Sequence, residues 1–216
     1  MIPISDSIST HRLPILNILL IAANIFVFIQ QIITPNPDAF IYEYALVPAN
    51  VDFSDFQTLL PFVTSMFLHG GLLHIGSNML FLWVFGDNVE AHFGWLFFLP
   101  VYLTSGIIGG LAQYMFMPNS QIPMLGASGA VAGMLGAYFV LFPHAKVKTL
   151  VPFFGFASIV SIPATFMLGY WFVLQLISGA VSLPFSGEAG GVAFFAHIGG
   201  FLAGFLIARA FRPKTS

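Results

Sequence analysis

The sequence predicts an all-α, polytopic membrane protein: a bundle of six transmembrane helices forming one domain over residues 1–216. Three observations lead there. Only 6% of the residues are charged while 58% are hydrophobic, whereas a soluble domain carries about 25% charged residues. The mean hydropathy is +0.93. Uncharged stretches of helix length also follow one another along the chain. With six Lys plus Arg and eight Asp plus Glu, too little polar surface exists to clothe a soluble globule, so the missing solvent is the lipid bilayer. The formal net charge of -2 provides no basic face for phosphates, which excludes nucleic acid as a partner. The absence of Cys removes disulfides, thiolate nucleophiles and Cys-ligated metals together. Chemistry has to come from His, Ser, Asn and a few carboxylates, and no cofactor is expected.

Leu13 to Ile33 opens the series. The residues before it lack the basic start and small-residue cleavage site of a secretory signal, so this run is expected to stay as a transmembrane helix. Residues 34–74 form the one long connection, and Phe40, Tyr42, Tyr44, Phe53, Phe56, Phe62 and Phe67 make it too apolar for a solvated linker. It is expected to lie as an amphipathic interfacial loop in the outer leaflet. Ile75 to Gly86 and Ser128 to Phe142 fall short of the roughly 20 residues that a 30 Å slab requires. Both are therefore expected to begin inside the membrane, beside a buried, water-filled cavity. Phe93 to Met117, Phe156 to Ser178 and Ala193 to Ala208 complete the six. Threaded alternately from a cytoplasmic N-terminus, the segments place Arg12, Lys146, Lys148, Arg209, Arg212 and Lys214 inside. Asp38, Glu43, Asp52, Asp55 and Glu188 fall outside, which is the positive-inside pattern. Both termini are thus cytoplasmic.

Three polar clusters interrupt these apolar helices. Gly126, Ala127, Ser128 and Gly129 open the fourth, where Ser128 is either a helix cap or a nucleophile. His197 sits within the last, where an ionisable side chain is costly and marks a candidate site unless a backbone carbonyl holds it. His74 and Asn78 share one helix face, as either interhelix hydrogen-bond partners or functional donors. Depth favours the functional reading of all three. At about 1.5 Å per residue from the cytoplasmic ends, Ser128 stands about 22 Å up, His197 about 18 Å and His74 about 20 Å. Small residues on both helices, Gly129, Gly133 and Gly136 against Ala196, Gly200, Gly204 and Ala208, allow the close packing that would bring Ser128 to His197. A neutral His can activate a Ser hydroxyl. Asn78, His74 and the Ser128 backbone N–H, at a helix start, can serve an oxyanion. No acid lies in either helix, so the site reads as a Ser-His dyad, with Glu188 as the one acid near the outer end of the last helix. His69 is expected to anchor the long loop, and His11, His92 and His144 fall at the cytoplasmic edge. No metal is expected, since no H-E-x-x-H helix occurs.

These residues resemble the rhomboid intramembrane serine proteases. The likeness spans essentially the whole chain: H-G-G at His69 to Gly71, H-x-x-x-N at His74 to Asn78, G-x-S-G at Gly126 to Gly129, and A-H-x-x-G-x-x-x-G at Ala196 to Gly204. It implies an active-site cavity open to the outer side and cleavage of single-pass transmembrane substrates through Ser128 and His197, with His74 and Asn78 on the oxyanion. It also implies that the Leu183 to Val192 loop caps the site and that the fifth helix moves to admit substrate. Some members stack an aromatic residue four positions after the nucleophile under the histidine; Ala132 stands there, which leaves open what orients His197. The Trp-Arg pair some members carry in the first loop is also absent. A compact chain of this kind fits a bacterial plasma membrane. Two other functions compete: a non-enzymatic binder of client transmembrane helices, which needs no Ser-His pair, and a small transporter, which would want a membrane-depth carboxylate.

Overall fold

The computed structural model describes residues 1–10, 12–153, 156–183 and 192–211. It is mostly helical. Helix α1 (Ile15–Ile33), α4 (Leu72–Phe116), α6 (Ala164–Ser182) and α7 (Phe194–Phe211) are each long and apolar enough to cross a membrane. Between α1 and α4, the long connection carries α2 (Pro37–Tyr44), α3 (Pro61–Thr64) and three single turns of tighter helix. Its apolar side chains divide: Leu46, Phe62, Met66 and Leu68 are buried, while Tyr42, Phe53 and Phe56 are exposed.

The second and third apolar segments form one element, α4, of 45 residues. Drawn straight it would reach about 68 Å, roughly twice the hydrocarbon thickness. It breaks at Gly94, whose φ of 71° and ψ of 167° leave the helix for a region that favours glycine. The second segment is therefore longer than Ile75 to Gly86, and it runs on through Asp87 and Glu90. Those acids do not end it because each has a partner: Glu90 accepts from the Leu16 and Asn17 backbone N–H groups at 3.1 and 2.7 Å, closing the open N-terminus of α1. Asp87 accepts from the Asn88 backbone N–H at 2.7 Å.

The fifth segment also differs from expectation. Residues Phe156–Pro163 are not helix but strand β3, paired antiparallel to β2 (Lys146–Phe153), and α6 begins only at Ala164. Pro163 cannot sit inside a helix without losing a hydrogen bond, and the preceding Ile159, Val160 and Ile162 are β-branched. The N-terminal residues add β1 (Ile2–Asp6) to the other side of β2, giving the order β1-β2-β3. Asp6 fastens this sheet to the helices, accepting from Asn88 Nδ2 on α4 at 2.7 Å and from the Tyr138 hydroxyl.

Helix α5 (Ser128–Leu141) is the centre of the molecule. Every residue from Gly129 to Tyr138 is buried, as expected of a helix that is apolar all round. At 14 residues it is about 21 Å long, which leaves open space above its first turn. Its contact with α7 is backbone on backbone: a Cβ at Gly200 would strike the Gly129 carbonyl oxygen, and one at Gly204 the Gly133 carbonyl oxygen. Gly136 in turn rests against the Phe201 carbonyl. Gly204→Val is therefore expected to force α5 and α7 apart and to cost about 1–3 kcal/mol or more. Thermal unfolding in detergent should show a clearly lowered midpoint, with Ala210→Val, at an exposed position of the same helix, as the volume control.

Candidate functional site

The turn before α5 is held from two sides. Leu46 and Met124 exchange backbone hydrogen bonds at 3.0 and 2.8 Å, and the Gly126 N–H donates to the Ser65 carbonyl at 2.9 Å. The long first loop thus fixes the approach to Ser128. Gly126 has a φ of 123°, which L side chains rarely adopt, and Ser128 then starts the helix. Its backbone N–H, in the first turn, has no acceptor within the helix and stands at the positive end of the dipole.

His74 and Asn78 lie in the first turns of α4, entered through His69, Gly70 and Gly71. The His69 backbone is clamped by Gln31 of α1: its N–H donates to Gln31 Oε1 at 3.1 Å, and its carbonyl accepts from Gln31 Nε2 at 2.7 Å. His69 does anchor the loop, through its backbone; its buried ring has no hydrogen bond among the described residues. The Gly70 N–H donates to His74 Nδ1 at 3.2 Å. A neutral imidazole that accepts at one nitrogen carries its proton on the other, so His74 presents Nε2–H as a donor. That nitrogen lies beside the backbone of Gly126, where an added Cβ would stand 2.7 Å from it and 3.6 Å from Asn78 Nδ2. Asn78 Nδ2 is buried with no acceptor among the described residues. Two donors thus converge next to Ser128.

His197 is buried in α7. Its Nδ1 lies 2.8 Å from Gln175 Oε1 on α6. Trp171, one turn earlier on α6, places its ring centroid 5.8 Å from that of His197 at an interplanar angle of 34°. The sequence reading missed both. An amide amid the apolar side chains of α6 was the available signal, since buried polar groups in a membrane helix need partners. Ala132 is buried and lines the same cavity, so no ring comes from α5.

Ser128, His197, His74 and Asn78 all line one cavity of about 830 Å³. Gly126 and Gly129 form part of its wall. No hydrogen bond joins Ser128 to His197 among the described residues. A second cavity of about 480 Å³ adjoins it, sharing Ile122, Pro123, Met124, Val192 and Ala193 and lined by the last turns of α6. Of the remaining candidates, His92 packs edge-on to Phe93 and Phe142, away from the cavity. Glu188 and residues 184–191 of the expected capping loop lie outside the described residues, as do His11, Arg212 and Lys214.

A family profile described as "Rhomboid domain" matches residues 57–214, which include Ser128, His197, His74, Asn78 and Gln175. The chain belongs to the rhomboid family. Among curated relatives, it is 34% identical over 148 residues to "Rhomboid protease GluP" of Bacillus subtilis, covering 68% of this chain and 25% of that protein. It is 39% identical over 93 residues to "Rhomboid protein 1, mitochondrial" of Saccharomyces cerevisiae, covering 41% of this chain and 27% of that protein. "Inactive rhomboid protein 1" of Danio rerio is 30% identical over 152 residues, covering 70% of this chain and 16% of that protein. The chain thus spans well under half the length of these relatives. Rhomboid membership and the apolar helices make it an integral membrane protein, in a family that acts on membrane-protein substrates within the bilayer.

The Gln31 clamp yields a direct test. Gln31→Leu strips the His69 N–H and carbonyl of their partners in a buried place, at about 1–3 kcal/mol for each group left unsatisfied. A lowered unfolding midpoint is expected, together with faster hydrogen exchange at His69 and Gly70. Unchanged exchange there would show that the loop is anchored elsewhere.

Proposed function

We propose that this rhomboid is an intramembrane serine endopeptidase that hydrolyses peptide bonds in or next to single-pass transmembrane segments through a Ser128–His197 dyad. One observation carries the reading. The cavity gathers a serine at a helix start, a histidine whose Nδ1 is already engaged, a buried donor with no acceptor among the described residues, Asn78 Nδ2, and beside it a second donor, His74 Nε2–H. A buried donor without an acceptor is costly. A developing oxyanion beside Ser128 would supply that acceptor.

In this mechanism Ser128 Oγ attacks the substrate carbonyl carbon while His197 Nε2 takes the hydroxyl proton. The oxyanion accepts from Asn78 Nδ2, His74 Nε2–H and the Ser128 backbone N–H. Collapse of the tetrahedral intermediate breaks the C–N bond, and the leaving amine takes the proton from His197. Water then attacks the Ser128 ester, giving a proton to His197, which returns it to Oγ as the acid departs. No metal or cofactor takes part. Helix-breaking residues near the cut favour a substrate, because an intact helix hides its carbonyls.

The same reading gives one membrane domain over residues 1–216 with six crossings, two of them from α4 about Gly94, and a cavity open to the outer side. The sheet end, with Lys146 and Lys148 on β2, lies on the positive-inside face together with both termini, in a bacterial plasma membrane or an organellar one. A second reading, that the chain binds and retains client helices without cutting them, is favoured by its likeness to a relative named as inactive.

Cleavage of a single-pass substrate by purified protein in liposomes separates the two. Wild type is expected to cut, and Ser128→Ala and His197→Ala to lose cutting with folding intact; a wild type that binds the helix but never cuts it establishes the binder. Asn78→Ala should lower kcat by about 100-fold while leaving KM nearly unchanged, because its bond forms in the transition state; a rise in KM alone would remove Asn78 from the oxyanion site. Gly126→Ala should abolish turnover, since the added Cβ meets His74 Nε2 at 2.7 Å. EDTA should leave activity intact, and loss restored by zinc would replace this mechanism with a metal-dependent one.

A further inference from the structure

A dyad without a carboxylate has to fix its histidine by other means. The base must carry its proton on Nδ1, leaving Nε2 open toward the serine, and its ring must hold one orientation. In a triad the acid does both. Here α7 and α5 bring no acid, and Ala132 brings no ring. What meets His197 comes from α6. Gln175 Oε1 carries only lone pairs, so its 2.8 Å contact with Nδ1 is a hydrogen bond when the ring proton sits on Nδ1.

Trp171 and Gln175 are four residues apart and share one face of α6. The Trp171 ring also meets Phe201 of α7, at 6.2 Å between centroids, and Phe172 stacks on the same Phe201 at 4.5 Å. These aromatic contacts hold α6 against α7 one turn below His197, which fixes where the Gln175 amide can reach. A neutral amide also suits this depth, because a carboxylate would carry a large desolvation cost there.

We propose that Gln175 is the positioning residue of the dyad: from α6 it fixes the Nδ1–H tautomer and the ring orientation of His197. This rests on the serine endopeptidase reading above. Gln175 touches neither the substrate nor the oxyanion site; it acts through His197. The titratable side chains that line the cavity among the described residues are His197 itself and His74 of α4, with none from α5 or α6. A charge introduced at position 175 therefore acts on the base with little else to compensate it.

Two variants and one spectroscopic reading test this. Gln175→Leu keeps the volume and removes the acceptor. It is expected to lower kcat by about 10-fold to 100-fold with KM nearly unchanged, a part of what a general base contributes. Gln175→Glu keeps an acceptor and adds a charge that favours the imidazolium. It should retain turnover at high pH and move the acid limb of the pH–kcat profile upward by about one unit or more. A folded Gln175→Leu with wild-type kcat, or a Gln175→Glu whose acid limb stays in place, would overturn the proposal.

The third measurement needs no turnover: side-chain ¹⁵N NMR of histidine-labelled full-length protein in nanodiscs, with His197 assigned by comparison with His197→Ala. Wild type should show one Nδ1-protonated ring, and Gln175→Leu a tautomer mixture. If wild type never cuts substrate, the protease reading fails on that count, and this spectrum still decides Gln175: a His197 signal unchanged in Gln175→Leu overturns its role.

Discussion

The approach of α5 to α7, carbonyl oxygen against glycine Cα, is the constraint on which the rest of the molecule depends. Lipid offers apolar helices no hydrophobic reason to associate, so the attraction between them must come from close packing. Gly200 and Gly204 of α7 leave no room for a Cβ against the Gly129 and Gly133 carbonyls, and Gly136 of α5 leaves none against that of Phe201. The two helices are locked in register as well as in distance. Ser128 at the top of α5 and His197 on α7 consequently share a cavity wall, although 68 residues separate them in sequence. The polar chemistry is thus positioned by an apolar contact with no polar side chain in it.

That rigidity lets the site keep features that weaken an ordinary core. Asn78 Nδ2 is buried without an acceptor among the described residues, and the neighbouring His69 ring is in the same condition. Gly126 holds a backbone conformation closed to most residues. Each would favour rearrangement in a loosely packed protein. Here the surroundings over-determine their places: Gln31 grips the backbone of His69, Ser65 grips Gly126, and Leu46 pairs with Met124. Local frustration concentrated at one cavity, with consistent packing elsewhere, is the usual mark of a functional site.

Much of this was legible in the sequence because membrane helices announce themselves by composition and because Ser128, His197, His74 and Asn78, polar residues in apolar segments, line one cavity. What escaped was set by partners remote in the chain. Asp87 and Glu90 read as a helix end, yet Glu90 is satisfied by the N-terminus of α1 and the helix continues past it. Phe156–Pro163 is apolar without a clear period, and such a run does not distinguish strand from helix; the β2 partner decides it. Gln175 was passed over inside an apolar segment, because its meaning lies in the ring it meets on α7.

The pairing of β1 with β2 bears on how the protein is made. Ile2 finds Leu150 and Asp6 finds Val147, so β1 has no partner until β2, far along the chain, has followed. The α1 and α4 helices are inserted in the meantime, and Asp6 has no hydroxyl to meet until Tyr138 of α5 arrives. Closure of this end of the bundle is therefore a late, long-range event, of the kind that slows folding, and it comes only after the helix carrying Ser128 is in place. Strand β1 thus acts as a clasp that closes only on a seated α5: without that helix the Tyr138 hydroxyl cannot reach Asp6.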